Sequence, residues 1–329
     1  MSLPIIVDCD PGNGIPGANV DDALALLYAL RHPELDCRAV WTVFGNTPSD
    51  TGAKCAQEIV DRTTLIGQTP PHIQRGSTRP LNASTQRWDQ QRKEYASTPE
   101  GISAWGDRRF VPVAGDGNSS TDEAVAEKLF RDVADAASAA ASTSPVHKVT
   151  IVAIGPLTNI ARLLAAHPEC SELIEQIVLM GGCFGFGDLV DTNFAVDPEA
   201  AQIVFDSVIP LTIVPLDTTR KTHMSEERWE RILTACADKD LAEALRQWIN
   251  PWLAFSQQTR PVDGMWVHDL VTLFALTNPE LVTVEDAHCT VNEAGKLMRH
   301  SDGRLASVVT AVDNEGLLGA LERVIAGGN

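Results

Sequence analysis

The stretch richest in chemistry lies near the N-terminus, where Asp8-Cys9-Asp10-Pro11-Gly12 is followed, after a glycine-rich loop, by Asp21-Asp22. Ionised aspartate offers only hard oxygen acceptors, so several in one crevice repel each other unless a cation neutralises them. Oxygen ligands of this kind select Ca2+ or Mg2+. Singly, Asp21 and Asp22 could merely occupy the first turn of a helix, where the dipole favours carboxylates, and Asp8 and Asp10 could be solvated at a strand end. Alternation along a strand puts Asp8 and Asp10 on one side, and with all four acids together a cation site is the stronger reading. A second acidic element, Val267-His268-Asp269, stands at the start of a helix-like segment far along the chain. Its meaning depends on whether the fold brings Asp269 beside Asp10, which spacing alone does not decide.

The elements that must position these residues are legible in the hydrophobic pattern. Short β-branched runs at 4–7 (PIIV), 38–44 (RAVWTVF), 149–154 (VTIVAI), 177–180 (IVLM) and 211–216 (LTIVPL) read as buried strands. Helix-like segments at 21–31, 158–166 and 269–276 lie between or after them, which predicts an α/β fold with a mainly parallel, doubly wound, Rossmann-like sheet flanked by helices. Strands near 289–291 and 306–312, with a helix at about 315–325, predict a small antiparallel edge or appendage. We expect one domain over residues 1–329, with a polar surface excursion or lid at about 82–118. The Ala/Ser-rich stretch 134–144 reads as a helix end and its connection.

Sheets of this type bind ligands at the carboxyl ends of their strands. Polar or glycine punctuation recurs there: Gly45-Asn46, Gly155-Pro156-Leu157-Thr158-Asn159 and Gly181-Gly182. Each is also an ordinary turn sequence. Asn193 adds an amide, whereas Asp197-Pro198-Glu199 reads as the start of a helix.

Composition narrows the function further. A net charge of -18 repels a phosphate backbone, so nucleic-acid polymers are poor partners and small molecules with divalent cations fit better. No apolar run approaches the roughly 20 residues needed to span a bilayer, so no membrane partner is expected. The N-terminal residues lack the pattern of a signal peptide, and a cytoplasmic location is expected. The seven cysteines are scattered, odd in number and never spaced C-x-x-C, which argues against a disulfide framework or a zinc site.

In order along the chain, D-x-D-P-G with D-D-A-L-A, T-V-F-G-N, G-P-L-T-N-I-A, V-L-M-G-G, N-F-x-x-D-P-E-A-A and V-H-D resemble the inosine-uridine preferring nucleoside hydrolases. The resemblance runs from Ile5 to the last helix. It implies hydrolysis of the N-glycosidic bond of ribonucleosides to ribose and free base, a bound Ca2+, and a homodimer or homotetramer. Position by position, it implies Asp10, Asp22, Asp269 and the carbonyl of Ile154 as calcium ligands, with Asp10 also the base that activates a calcium-bound water. Asp21, Asn46, Asp191 and Asn193 match ribose-binding positions, and Met180 matches a residue lining the sugar pocket. His268 matches a residue near the leaving base, where it could donate a proton.

The chemistry agrees, because glycosidic cleavage passes through an oxocarbenium-like state that needs negative charge, a positioned water and a neutralised leaving group. Trp105 and Trp266 are candidates for stacking on the base, with simple packing the competing explanation for each. Three features depart from the family pattern. Residues 13–19 (NGIPGAN) separate D-x-D from D-D, an insert short enough to bulge outward. The histidine of the family's H-G-x-x-G-x-G loop has no counterpart in 99–106, and Asp191 replaces a glutamate. These changes fall around the base and the 5′ side of the ribose and bear on substrate preference. Two other readings remain at this point: a D-x-D metal-dependent phosphatase, and a non-catalytic binder of nucleoside or ribose.

Overall fold

The computed structural model describes residues 2–63, 68–113, 122–140 and 148–327. Nine strands form the main sheet: β1 (Leu3–Cys9), β2 (Leu35–Thr42), β3 (His72–Arg75), β4 (Val149–Ala153), β5 (Ile174–Met180), β6 (Leu211–Val214), β9 (Val282–Val291), β10 (Leu297–Arg299) and β11 (Arg304–Val312). A separate pair, β7 (His223–Met224) and β8 (Met265–Trp266), makes a small antiparallel ribbon. The main order is β10-β9-β11-β6-β5-β4-β1-β2-β3. Pairing is parallel from β3 through to β11, and β9 and β10 add the antiparallel edge expected from the sequence.

Burial on both faces explains why the central strands are almost wholly apolar. Ile5, Val7 and Cys9 of β1 enter one core layer, while Ile6 enters the other. Helices Asp21–Arg31, Lys239–Thr259 and Asn314–Ala326 cover the first layer, and helices Asp122–Ala140, Thr158–Ala166 and Pro198–Asp206 cover the second. A fully buried Ile or Leu contributes about 1.5–3 kcal/mol, so this double packing holds the strand ends firmly.

The order β3-β2-β1-β4-β5-β6 reverses direction between β1 and β4. That switch point leaves a crevice beyond the carboxyl ends of both strands, where Asp10 and Ile154 stand.

Several boundaries differ from the sequence reading. The run at 211–216 stops as a strand at Val214, because Pro215 has no N–H for the ladder and residues Leu216–Thr219 turn helical. The segment at 82–118 holds helices Gln86–Ser97 and Pro99–Trp105, and its residues 114–118 lie outside the described ones. Helix Asp122–Ala140 covers the first part of the stretch 134–144, and residues 141–144 are likewise outside them. All seven cysteines are free thiols. Among the described residues, no helix is long and apolar enough to cross a membrane.

Candidate active site

The turn after β1 and the helix Asp21–Arg31 bring two acids face to face. The backbone N–H of Asp10 donates to Asp22 Oδ1 at 2.9 Å. Asn46, just past β2, donates its backbone N–H to Asp10 Oδ2 at 2.7 Å, and its Nδ2 lies 3.3 Å from both Asp10 Oδ1 and Asp22 Oδ2. Two strand-end glycines make this approach possible. A Cβ on Gly45 would stand 1.8 Å from Asp10 Oδ2, and one on Gly155 would stand 3.3 Å from Asp10 Oδ1. The glycine after β2 is therefore required by the Asp10 carboxylate, and the one after β4 first by Val43, whose Cγ1 a Cβ there would meet at 2.8 Å.

The distant V-H-D element joins the same cluster. Asp21 Oδ2 accepts the N–H groups of His268 at 2.8 Å and Asp269 at 3.2 Å, so one helix's first residue holds the N-terminus of helix Leu270–Thr277. Asp21, Asp22 and Asp269 each place a carboxylate oxygen within 4.8 Å of the others. All three are buried, and Asp21 Oδ1 finds no hydrogen-bond partner among the described residues.

Burial and neighbouring aspartates push the Asp22 and Asp269 carboxyls well above the usual range, and burial pushes Asp10 up to about 7. Buried acids this close are costly as anions without a counter-charge, and their oxygen-only donor set fits a hard divalent cation. The cluster can hold a metal ion.

Asp8 departs from the grouping expected of it. Its side chain turns toward Asn159, which donates Nδ2 to Asp8 Oδ1 at 2.7 Å, and burial raises its carboxyl to about 8. It does not line the cavity. Asp8 is still within β1, on the face where Ile6 packs into the second core layer, whereas the strand ends at Cys9 and Asp10 follows the turn to the cavity.

A cavity of about 230 Å3 opens over the switch point. Asp10, Asp21, Asn46, Ile154, Met180, Asp191, Asn193, His268 and Asp269 all line it, and Asp22 stands behind as part of the acidic cluster. Asn193 Nδ2 donates to the carbonyls of Ile154 and Met180, both at 3.1 Å, which joins the ends of β4 and β5. Asp191 caps the short helix Thr192–Ala195 by accepting from Asn193 N at 3.0 Å, and its burial raises the carboxyl to about 6.

The His268 ring hydrogen-bonds through Nδ1 to Thr219 Oγ1 at 2.7 Å. Burial lowers it to about 4, with Arg260 and Arg220 adding to the effect, so the ring is neutral near pH 7. Of the two tryptophans singled out, Trp266 lines the cavity 6.0 Å from His268. Trp105 is packed away against Phe255 and Trp252. Asp197 caps helix Pro198–Asp206, in agreement with its reading as a helix start.

The insert at 13–19 does not bulge outward. Asn13, Gly14 and Gly17 take positive φ values, and the loop folds beneath its neighbours, with Arg108 Nη1 donating to the Gly14 carbonyl at 3.1 Å. A Cβ on Gly17 would stand 2.3 Å from the carbonyl oxygen of Arg92. Asn19, at the end of the insert, lines the cavity and donates its N–H to Asn46 Oδ1.

Other lining residues escaped sequence reasoning: Trp88, Gln91 and Tyr95 from one helix, Trp252 from another, and Arg220 and Arg260. The i, i+3, i+7 spacing of the first three was the available signal.

A family profile described as inosine-uridine preferring nucleoside hydrolase matches residues 5–319. The chain belongs to that family. The enzyme is thus a ribonucleoside hydrolase, and the phosphatase and silent-binder readings give way. The pyrimidine-specific ribonucleoside hydrolase RihA of Shewanella sp. (strain MR-7) is 35% identical over 301 residues, 90% of this chain and 85% of that protein. Its counterpart in Shewanella woodyi is 32% identical over 323 residues, 97% of this chain and 91% of that protein. The nucleoside hydrolase fold is shared with the purine-preferring ribonucleoside hydrolase from Gardnerella vaginalis, at a TM-score of 0.74 and 22% identity over 98% of each chain. An inosine-uridine preferring nucleoside hydrolase from Bacillus anthracis gives 0.68 and 18%, covering 99% of this chain and all of that one.

Proposed function

We propose that this enzyme cleaves the N-glycosidic bond of ribonucleosides with the help of Ca2+, held by Asp10, Asp22, Asp269 and the carbonyl of Ile154, and that Asp10 is the general base. The observation that carries this reading is the convergence of Asp10, Asp21 and Asp269, from widely separated segments, on one cavity at the sheet's switch point, with Asp22 directly behind them.

When bound, the cation supplies the positive charge that acidifies the attacking water and grips oxygen ligands. Asp10 accepts a proton from that water while its oxygen bonds to C1′. The C1′–N bond breaks, and its electron pair leaves with the base. The surrounding carboxylates stabilise the positive charge that develops on the ribosyl group. Asn46 fixes Asp10 through its backbone N–H, and Asp21, Asn193 and Asp191 are positioned to meet ribose hydroxyls. His268, neutral and tied to Thr219, offers the departing base a hydrogen bond from its other ring nitrogen.

Pyrimidine nucleosides are the proposed preference, because relatives 35% and 32% identical carry that specificity in their names. Asp10→Ala tests the assignment. Ribose release is expected to disappear while nucleoside binding, followed calorimetrically, persists; unchanged turnover would refute Asp10 as the base.

A further inference from the structure

Two arginines line the same cavity, and the carboxylate chemistry leaves them unused. Arg220 follows the helical turn Leu216–Thr219, and Arg260 caps the C-terminal end of helix Lys239–Thr259. Trp266 contacts both, its ring 5.0 Å from the Arg220 guanidinium and 5.7 Å from that of Arg260. Phe186 at 4.8 Å completes the hold on Arg220, and Trp252 at 4.7 Å that on Arg260.

Among the described residues, neither guanidinium makes an ion pair, whereas an orphaned Nε is common to Arg220, Arg92, Arg162 and Arg228. Other withdrawn arginines differ in their pairing. Arg92 pairs with Asp89, Arg162 with Asp122 and Arg228 with Glu322, while Arg304 donates to the carbonyl of Ser207. Stacking on aromatic faces offsets only part of the cost of withdrawing a guanidinium from water. Burial, with repulsion from Arg220, lowers Arg260 from its usual value against the smaller pull of Tyr95 and Asp21. An arrangement with two like charges, fixed in place and facing a substrate cavity, is completed by an anion.

We propose that Arg220 and Arg260 form an oxyanion subsite, and that the favoured substrates are ribonucleosides bearing a carboxylate on the base or a phosphate on the ribose. The inference rests on the reading of this cavity as a ribonucleoside site. Guanidinium forks match both groups geometrically. The aspartate cluster repels an anion from its own end of the cavity, so the substrate's charge also sets its orientation.

The test compares kcat/KM for uridine, orotidine, which carries a carboxylate on the base, and uridine 5′-monophosphate, all with Ca2+ present. One anionic substrate is expected to exceed uridine by roughly tenfold to hundredfold, the worth of a charge-assisted hydrogen bond. Which of the two does so identifies the anion's carrier. Arg220→Met and Arg260→Met are expected to collapse that ratio, with the lysine variants keeping part of it.

Calorimetric binding of orotate against uracil, and of inorganic phosphate, gives a readout independent of turnover and of any loss of folding in the variants. Uridine cleaved as well as both anions, or arginine variants that slow all three substrates by one factor, would overturn the subsite. Failure to cleave these substrates, cytidine or inosine would refute the nucleoside reading itself, and this inference with it.

Discussion

Asp21 accepts the backbone N–H of His268 at 2.8 Å, a hydrogen bond that closes a loop of 247 residues. It is the link by which the acid pair opening the first long helix acquires Asp269. Removing it should loosen the cluster more than the fold, since the elements around it are packed on both sides. Asp21→Ala is therefore expected to weaken Ca2+ binding by roughly 10–100-fold, as supporting contacts around metal ligands do. Titration calorimetry of the metal-free protein with Ca2+ checks this, and an unchanged affinity would remove Asp21 from the site's architecture.

Gly45 offers a sharper geometric test. Its missing Cβ leaves the space that Asp10 Oδ2 occupies, with only 1.8 Å to spare for an added methyl. Gly45→Ala should push Asp10 aside and reduce kcat by roughly a hundredfold, the usual scale for a displacement near 1 Å. Steady-state kinetics with uridine measures it. A variant as fast as the parent would show that the Asp10 position is not critical.

The Asp191 carboxyl carries a stability cost with a definite pH window. Burial raises it from 3.8 to about 6, so the folded state holds this proton more tightly than the unfolded chain does. Such a group weakens the fold as pH rises: its cost is absent well below 3.8 and complete above about 6. Asparagine cannot ionise. Asp191→Asn should match the parent in thermal stability at pH 3.5 and exceed it by about 1–3 kcal/mol at pH 8, while losing activity. Equal melting temperatures at both pH values would contradict the burial argument.

Trp105 and Trp266 should separate in opposite ways. Trp105 is enclosed by Trp252 and Phe255, so Trp105→Ala is expected to cost about 3–5 kcal/mol of stability. Trp266 lines the cavity and holds Arg220 and Arg260, so Trp266→Ala should instead raise KM roughly tenfold as those contacts are lost. Denaturant unfolding together with steady-state kinetics distinguishes the two, and the reverse pattern would exchange their roles.

The sheet and its acids were legible because both depend on local rules. Strands β2, β4 and β5 announce themselves by apolar runs, and their ends by Gly45, Gly155 and Gly181, which sit where strands give way to loops. Asp269 was placed by resemblance, since no local signal says that residue 269 returns to residue 21. Arg220, Arg260 and Trp252 were not legible at all: the two arginines follow helix ends and Trp252 lies inside a long helix, and the docking of all three over the cavity is decided by tertiary packing. The insert at 13–19 misled for a related reason. Gly and Pro suggest an outward loop, yet Gly14 and Gly17 lack side chains because neighbouring backbone already fills that space.

The most direct test of the account is ribose release from uridine by enzyme stripped of metal with a chelator, then supplied with Ca2+. The geometry of the buried acids leads us to expect that activity vanishes on stripping and returns on addition of Ca2+. Full activity in the exhaustively metal-free enzyme would contradict the proposed role of the aspartate cluster.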